Sequence, residues 1–238
     1  MKDRLRALHI NLDAGEGVVN EEPLYRYVHA LNIACGGHAG DAETIAKTLK
    51  AGAALGLDLG AHPSYPDREH FGRRTLEMSN EALRQSLVKQ LELFDDQCQR
   101  LKIKWKHIKA HGALYNDLAQ NASLADLYVE AIAPFSSGRT LYVQEHSVLA
   151  QKAKEKGLKC FHEYFIDRRY ADRIRLLSRS DKRAIINTPE DSLTQLRLMQ
   201  NGILEDVMQG RHAIEPHTFC IHSDHENTEE ILKRIHEA

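Results

Sequence analysis

Short apolar runs alternate along the chain with longer stretches whose apolar positions recur at helical spacing. The runs fall at Leu8–Asp13, Leu31–Cys35, Asp58–Ala61, Trp105–Lys109, Leu141–Gln144, Cys160–Phe165, Ala184–Asn187 and Phe219–His222, and each is read as a strand. Between them the 3.6-residue period predicts helices at roughly Glu22–His29, Ala42–Leu55, Asn80–Leu101, Ser123–Ala133, Val148–Lys156, Glu190–Gln200 and Thr228–His236. Leu83, Leu87, Leu91 and Phe94 mark one face of the third of these, Ser79 is placed to cap it, and Glu81 suits its first turn. Strict alternation of strand and helix implies an α/β fold with a mostly parallel sheet and right-handed crossovers. Seven or eight such units, with no GxGxxG turn after the first strand, favour a closed or nearly closed TIM-like barrel over a Rossmann sheet. No linker, low-complexity tract or internal repeat divides the chain, so one domain spanning residues 1–238 is expected.

The polar residues sit at the ends of the apolar runs. In LNIACGGHAGD, a run closes on Gly36 and Gly37, then His38, Gly40 and Asp41; the glycines permit a tight turn and Asp41 can cap the following helix. Other runs end alike: NLDAGEG brings Asn11, Asp13 and Glu16, GAHP brings His62, and KAHGALYN brings Lys109 and His111. HEYFIDR carries Glu163, Asp167 and Arg168, and HSDHEN carries His222 and Asp224. In a parallel barrel all these ends meet on one face, where catalytic residues gather. One strand-end histidine is usually structural, but His38, His62, His111 and His222 on four strands point to a site. Carboxylates beside imidazoles serve as general acid and base, or hold a divalent metal. Asp13 and Asn11, two apart, share a strand face, and so do Lys109 and His111. A lysine that near the core needs an anion, and a salt bridge to Glu163 or Asp13 is its structural alternative.

Two long polar intervals break the rhythm, Pro63–Ser79 and the arginine-bearing Asp167–Arg183. Loops of that length at the catalytic face shape the pocket. Arg73 and Arg74 suit a bidentate carboxylate clamp, or else a structural pairing with Asp67 or Glu69. Most arginines of the second interval read as a solvated charge run.

Composition narrows the function class. Hydrophobic content is 42%, charged content 28% and net charge −2, which gives no electrostatic case for nucleic acid or an anionic membrane. No apolar run approaches the ~18–20 residues of a membrane span. The opening MKDRLRALHINLD has no secretory apolar core. Cys35, Cys98, Cys160 and Cys220 form no CxxC pair, so reduced, buried thiols in a cytoplasmic protein are expected. There is no GxxxxGK[ST], GxSxG or HExxH segment, and Cys35 lies before the glycine turn, which disfavours covalent cysteine catalysis.

Taken in order, NLDAGEG, NIACGGHAGD, GAHPSYPD with FGRR, KAHGALYN, EYFIDRRY and IHSD resemble the LamB/YcsF family of 5-oxoprolinase A subunits, over about His9 to Asp224. The departures are His9 where the family has Asp, Gly37 and Ala42 in its ACGFHAGDP, His70 in its GFGRR, Ile166 in its FADR, Arg173 in the DG after the tyrosine, and Ser223 in its HGD. The resemblance implies a divergent (β/α) barrel of the glycoside hydrolase/deacetylase type. It also implies ATP-dependent opening of 5-oxo-L-proline to L-glutamate together with subunits B and C, with ATP shared with or supplied through those partners. For that chemistry Asp13 and Glu163 are the expected acid/base carboxylates, and His38, His62 and His111 orient water or stabilise the oxyanion, with Lys109 adding charge. Glu16 and Asp224 complete the catalytic candidates, while Asn11, Asp41, Arg73, Arg74, Asp167, Arg168 and His222 are candidates for substrate binding. If a divalent metal is used, Asp13, His38 and His62 are its expected ligands. Two other functions fit the same residues: a stand-alone metal-dependent amidase or deacetylase, and a non-catalytic barrel that binds a small acid.

Overall fold

In the computed structural model, residues 8–225 and 227–237 are described; residues 1–7, part of the N-terminal reading above, and Glu226 of the last motif lie outside them. Seven parallel strands close into a barrel: β1 (Ile10–Ala14), β2 (Ala30–Ala34), β3 (Asp58–His62), β4 (His107–Lys109), β5 (Thr140–Val143), β6 (Lys159–Phe165) and β9 (Thr218–Ile221). Closure comes from β9, which pairs β6 through Tyr164 opposite Phe219 and β1 through Asn11 opposite Cys220. With β6 bonded directly to β9, the expected strand at Ala184–Asn187 has no seat. That segment is loop, contributing only an isolated bridge between Ile185 and Arg168.

The helices follow the predicted periods: α1 (Ala42–Ala54), α2 (Asn80–Leu101), α4 (Ala122–Ile132), α5 (Val148–Glu155), α6 (Pro189–Gln200) and α7 (Thr228–Glu237). Ser79 caps α2 by accepting from the Ala82 amide, and Leu83, Leu87, Leu91 and Phe94 are buried against the barrel. The predicted helix at Glu22–His29 is instead a 3-10 segment, Glu22–Tyr27. Two features, three elements in all, have no counterpart in the sequence reading. One is α3 (Gly112–Leu118), a seven-residue helix with no side-chain cap. The other is an antiparallel pair, β7 (Ile203–Glu205) and β8 (Arg211–Ala213), between α6 and β9. All four cysteines are free, and three are buried. Among the described residues no helix is long and apolar enough to cross a membrane.

Candidate active site

The carboxyl ends of the strands open into a cavity of about 440 Å³. Asp13, His62, Lys109, His111 and His222 line it from the barrel, and Arg73, Arg168, Arg179, Ser178 and Ser180 line it from the two long loops. Gly112, which follows His111 just past the end of β4, makes this junction possible. It has φ +58° and a Cβ there would sit 2.4 Å from the Gly72 carbonyl oxygen, which accepts the Ala113 amide. The loop 63–79 is thereby tied to the start of α3.

Two clusters share the floor. Lys109 is fully buried and its ammonium is saturated. It lies 2.9 Å from Asp13 Oδ1, 2.9 Å from Glu163 Oε1, 3.3 Å from Asn11 Oδ1 and 3.0 Å from Cys220 Sγ. Burial opposes its charge, but the adjacent carboxylates hold its pKa well above the ordinary value. Asn11 and Asn32 continue the network, with Asn32 Nδ2 donating to Asn11 Oδ1 and to Asp13 Oδ1. Glu163 lies beside Lys109 and the Tyr115 hydroxyl and does not line the cavity.

The second cluster is built from imidazoles. His62 Nδ1 donates to the Lys109 carbonyl at 2.8 Å, and His111 Nε2 donates to the Phe71 carbonyl at 2.9 Å. A carbonyl only accepts, so His62 Nδ1 and His111 Nε2 carry protons, and in the neutral rings the lone pairs lie on His62 Nε2 and His111 Nδ1. Those two nitrogens face each other at 2.9 Å. Glu16 Oε1 is 3.3 Å from His111 Nδ1 and 2.9 Å from His38 Nε2, and Asp13 Oδ2 is 3.3 Å from His62 Nε2. His38 stacks on His111 with ring centroids 3.6 Å apart, and its Nδ1 is buried without a partner. Converging lone pairs at these distances require something positive among them, a proton or a cation.

Electrostatics agree with that geometry. Burial pushes His38 down to about 3 and, together with His38 and His62, holds His111 well below its ordinary value. Burial and the Asp13 charge push Glu16 up to about 8. Asp13 goes the other way: His62 and Lys109 hold it well below the carboxylate range despite its burial. The two floor carboxylates are therefore driven apart, Asp13 ionised and Glu16 proton-binding, a pattern typical of acid–base sites.

The convergent donor group is Glu16, His38, His62 and His111. Asp13, expected among the ligands with His38 and His62, falls instead in a second group with Cys220 and His222. Its Oδ1 is spent on Lys109 and Asn32, which turns the carboxylate toward the buried network. Three of the separations, 2.9–3.3 Å, match the edges of a coordination shell with bonds of about 2.0–2.1 Å. His62 Nε2 lies 4.0 Å from Glu16 Oε1, and all four donors lie within 4.8 Å of one another. The donor set therefore fits a divalent cation.

His222 is held from behind. Its Nδ1 donates to Asp167 Oδ2 at 2.8 Å, its backbone amide donates to the same oxygen at 2.9 Å, and Phe165 stacks on its ring. These contacts hold Asp167 near 2 against its burial, and they leave His222 on the cavity wall. Other candidates lie elsewhere. Asp41 is exposed and accepts from the Thr44 amide and hydroxyl, capping α1. Arg74 is exposed and outside the cavity lining, with its charge near Asp67. Arg168 lines the cavity, but its guanidinium donates to the Ala184 and Leu177 carbonyls and pins the loop after β6. Arg179, in the interval whose arginines mostly read as a solvated charge run, lines the cavity, as do Asn116 and Tyr115 of the unforeseen α3. The Asp224 carboxylate accepts from Arg73, joining the loop 63–79 to the chain after β9.

The chain as a whole is similar to known proteins. The 5-oxoprolinase A subunit numbered 3 from Pseudomonas syringae pv. tomato is 32% identical over 237 residues, covering 97% of this chain and 93% of that protein. The 5-oxoprolinase A subunit from Geobacillus kaustophilus is 35% identical over 239 residues, covering 98% and 93%. The crystal structure of a lactam utilization protein from Thermus thermophilus superposes with a TM-score of 0.88 at 29% identity, covering 97% of this chain and 94% of that one. The LamB/YcsF family model matches residues 8–238, and the chain belongs to the LamB/YcsF family.

Proposed function

We propose that this chain is a 5-oxoprolinase subunit that hydrolyses the lactam 5-oxo-L-proline to L-glutamate, together with partner subunits B and C. The observation that carries the reading is the cavity floor. There an ionised Asp13 and the His62 Nε2 atom lie 3.3 Å apart at the open end of the barrel. In this reading Asp13 and His62 hold a water and take its proton as its oxygen adds to the lactam carbonyl carbon. His222, oriented by Asp167, delivers a proton to the ring nitrogen as the C–N bond breaks. Glu163 and Lys109 act from beneath by fixing Asp13. ATP, which the family reading requires, is assigned as shared with or supplied through the partner subunits.

A second reading rests on the facing lone pairs. Glu16, His38, His62 and His111 would hold a divalent cation, which when bound supplies Lewis-acid activation of the carbonyl or of water. In that case the chain is a metal-dependent amidase acting alone on a small lactam or amide.

The experiment is 5-oxo-L-proline turnover by the purified chain, with and without ATP and candidate B and C subunits, before and after chelation, with metal content measured in parallel. Turnover that needs ATP and both partners supports the first reading. No turnover in any mixture, with a divalent metal retained by the wild type and lost on His38→Ala, overturns it in favour of the second.

A further inference from the structure

The mouth of the cavity carries guanidinium groups that the chemistry on the floor does not use. Arg73 comes from the loop 63–79 and Arg179 from the loop after β6, and both line the cavity. They share one carboxylate: Asp224 Oδ2 accepts from Arg73 and lies 3.9 Å from Arg179 Nη1. Arg179 makes no hydrogen bond to any described residue, although its side chain is only 32% exposed. Arg168, the third guanidinium, is committed to backbone carbonyls and to neighbouring Asp167. Lys109 is committed to Asp13 and Glu163. Asp117, the other carboxylate on the wall, is held by the Tyr65 and Thr75 hydroxyls, at 2.9 and 2.8 Å.

The mouth therefore has two guanidiniums for one carboxylate, and a planar fork with spare donors matches a second carboxylate in a bidentate pair. Part-burial and the neighbouring Arg73 already disfavour the Arg179 charge, so an incoming anion relieves a repulsion inside the site. The Ser178 and Ser180 hydroxyls flank the same stretch of wall.

We propose that Arg179, with Arg73, is the subsite that recognises the carboxylate of the substrate, and that Asp224 fills it from within until a ligand carboxylate competes for the guanidiniums. The site thereby selects small lactams bearing a carboxylate over neutral lactams of the same ring. This inference rests on the lactam reading of the cavity.

The test is calorimetric binding to the full chain of three probes: 5-oxo-L-proline, 2-pyrrolidinone (the same ring without its carboxylate) and acetate. Arg179→Gln should weaken 5-oxo-L-proline by about tenfold or more and leave 2-pyrrolidinone unchanged. Asp224→Asn should tighten 5-oxo-L-proline, because the internal competitor is neutralised. In the reconstituted enzyme Arg179→Gln should raise KM with kcat held, and Arg179→Lys should restore part of the loss. Equal binding of 5-oxo-L-proline by wild type and Arg179→Gln overturns the subsite, and so does a parallel loss of both lactams. Arg179-dependent binding of acetate with no binding of either lactam supports the subsite and overturns the lactam reading.

Discussion

Lys109 and His111 stand two residues apart on the same side of one strand end, yet their surroundings are opposites. Around Lys109 opposite charges meet: two carboxylates, an amide oxygen and a thiol surround one ammonium. Around His111 they do not, because acceptor faces acceptor at 2.9 Å and a buried carboxyl is pushed up to about 8. A buried network built on opposite charges stabilises and orients, although both Glu163 oxygens lack a hydrogen-bond partner among the described residues, whereas acceptors held against each other persist only where function maintains them. The difference assigns Lys109 to the scaffold and the imidazole group to the chemistry.

Lys109→Met should break the comparison most violently. It leaves Asp13 and Glu163 buried without their counter-charge, and a loss of about 3–5 kcal/mol in chemical denaturation is expected. A variant as stable as wild type would show that Lys109 balances nothing. His111→Gln sharpens the contrast from the other side. It removes one of the two opposed lone pairs, so stability should change by less than about 1.5 kcal/mol while turnover falls about a hundredfold or more. A large stability loss with turnover intact would return His111 to the scaffold.

Much of this was legible in the sequence. The strands announced themselves as apolar runs ending in polar residues, and parallel alternation brought those ends together. The seven-strand closure, six of the seven predicted helices and the meeting of Asp13, His38, His62, Lys109, His111 and His222 follow from that pattern. What escaped depends on contacts between distant segments. Glu16 was a catalytic candidate from sequence, but its place in the imidazole donor group was not: it sits between Gly15 and Gly17, both at positive φ, and only the folded turn shows that its carboxyl swings in to meet His38. The two glycines flanking one acid were the available signal. Gly37 has a similar cause: a Cβ there would lie 2.4 Å from Gln90 Oε1 and from Ser64 Oγ, so the larger residue of the family motif has no room. The Ala184–Asn187 run has strand composition but no free edge to join, and α3 begins on a glycine that propensity alone argues against. Arg168 and Arg179 both line the cavity, and nothing in a run of arginines says that the first also finds the Ala184 and Leu177 carbonyls.

Asp13 is where the two clusters touch, one oxygen on Lys109 and the other near His62. The most direct measurement is therefore turnover of 5-oxo-L-proline by the reconstituted enzyme carrying Asp13→Asn, with folding verified by circular dichroism. The account predicts a folded protein with turnover reduced by at least about a thousandfold. Wild-type turnover in that variant would contradict it, and would remove the cavity floor from the chemistry altogether.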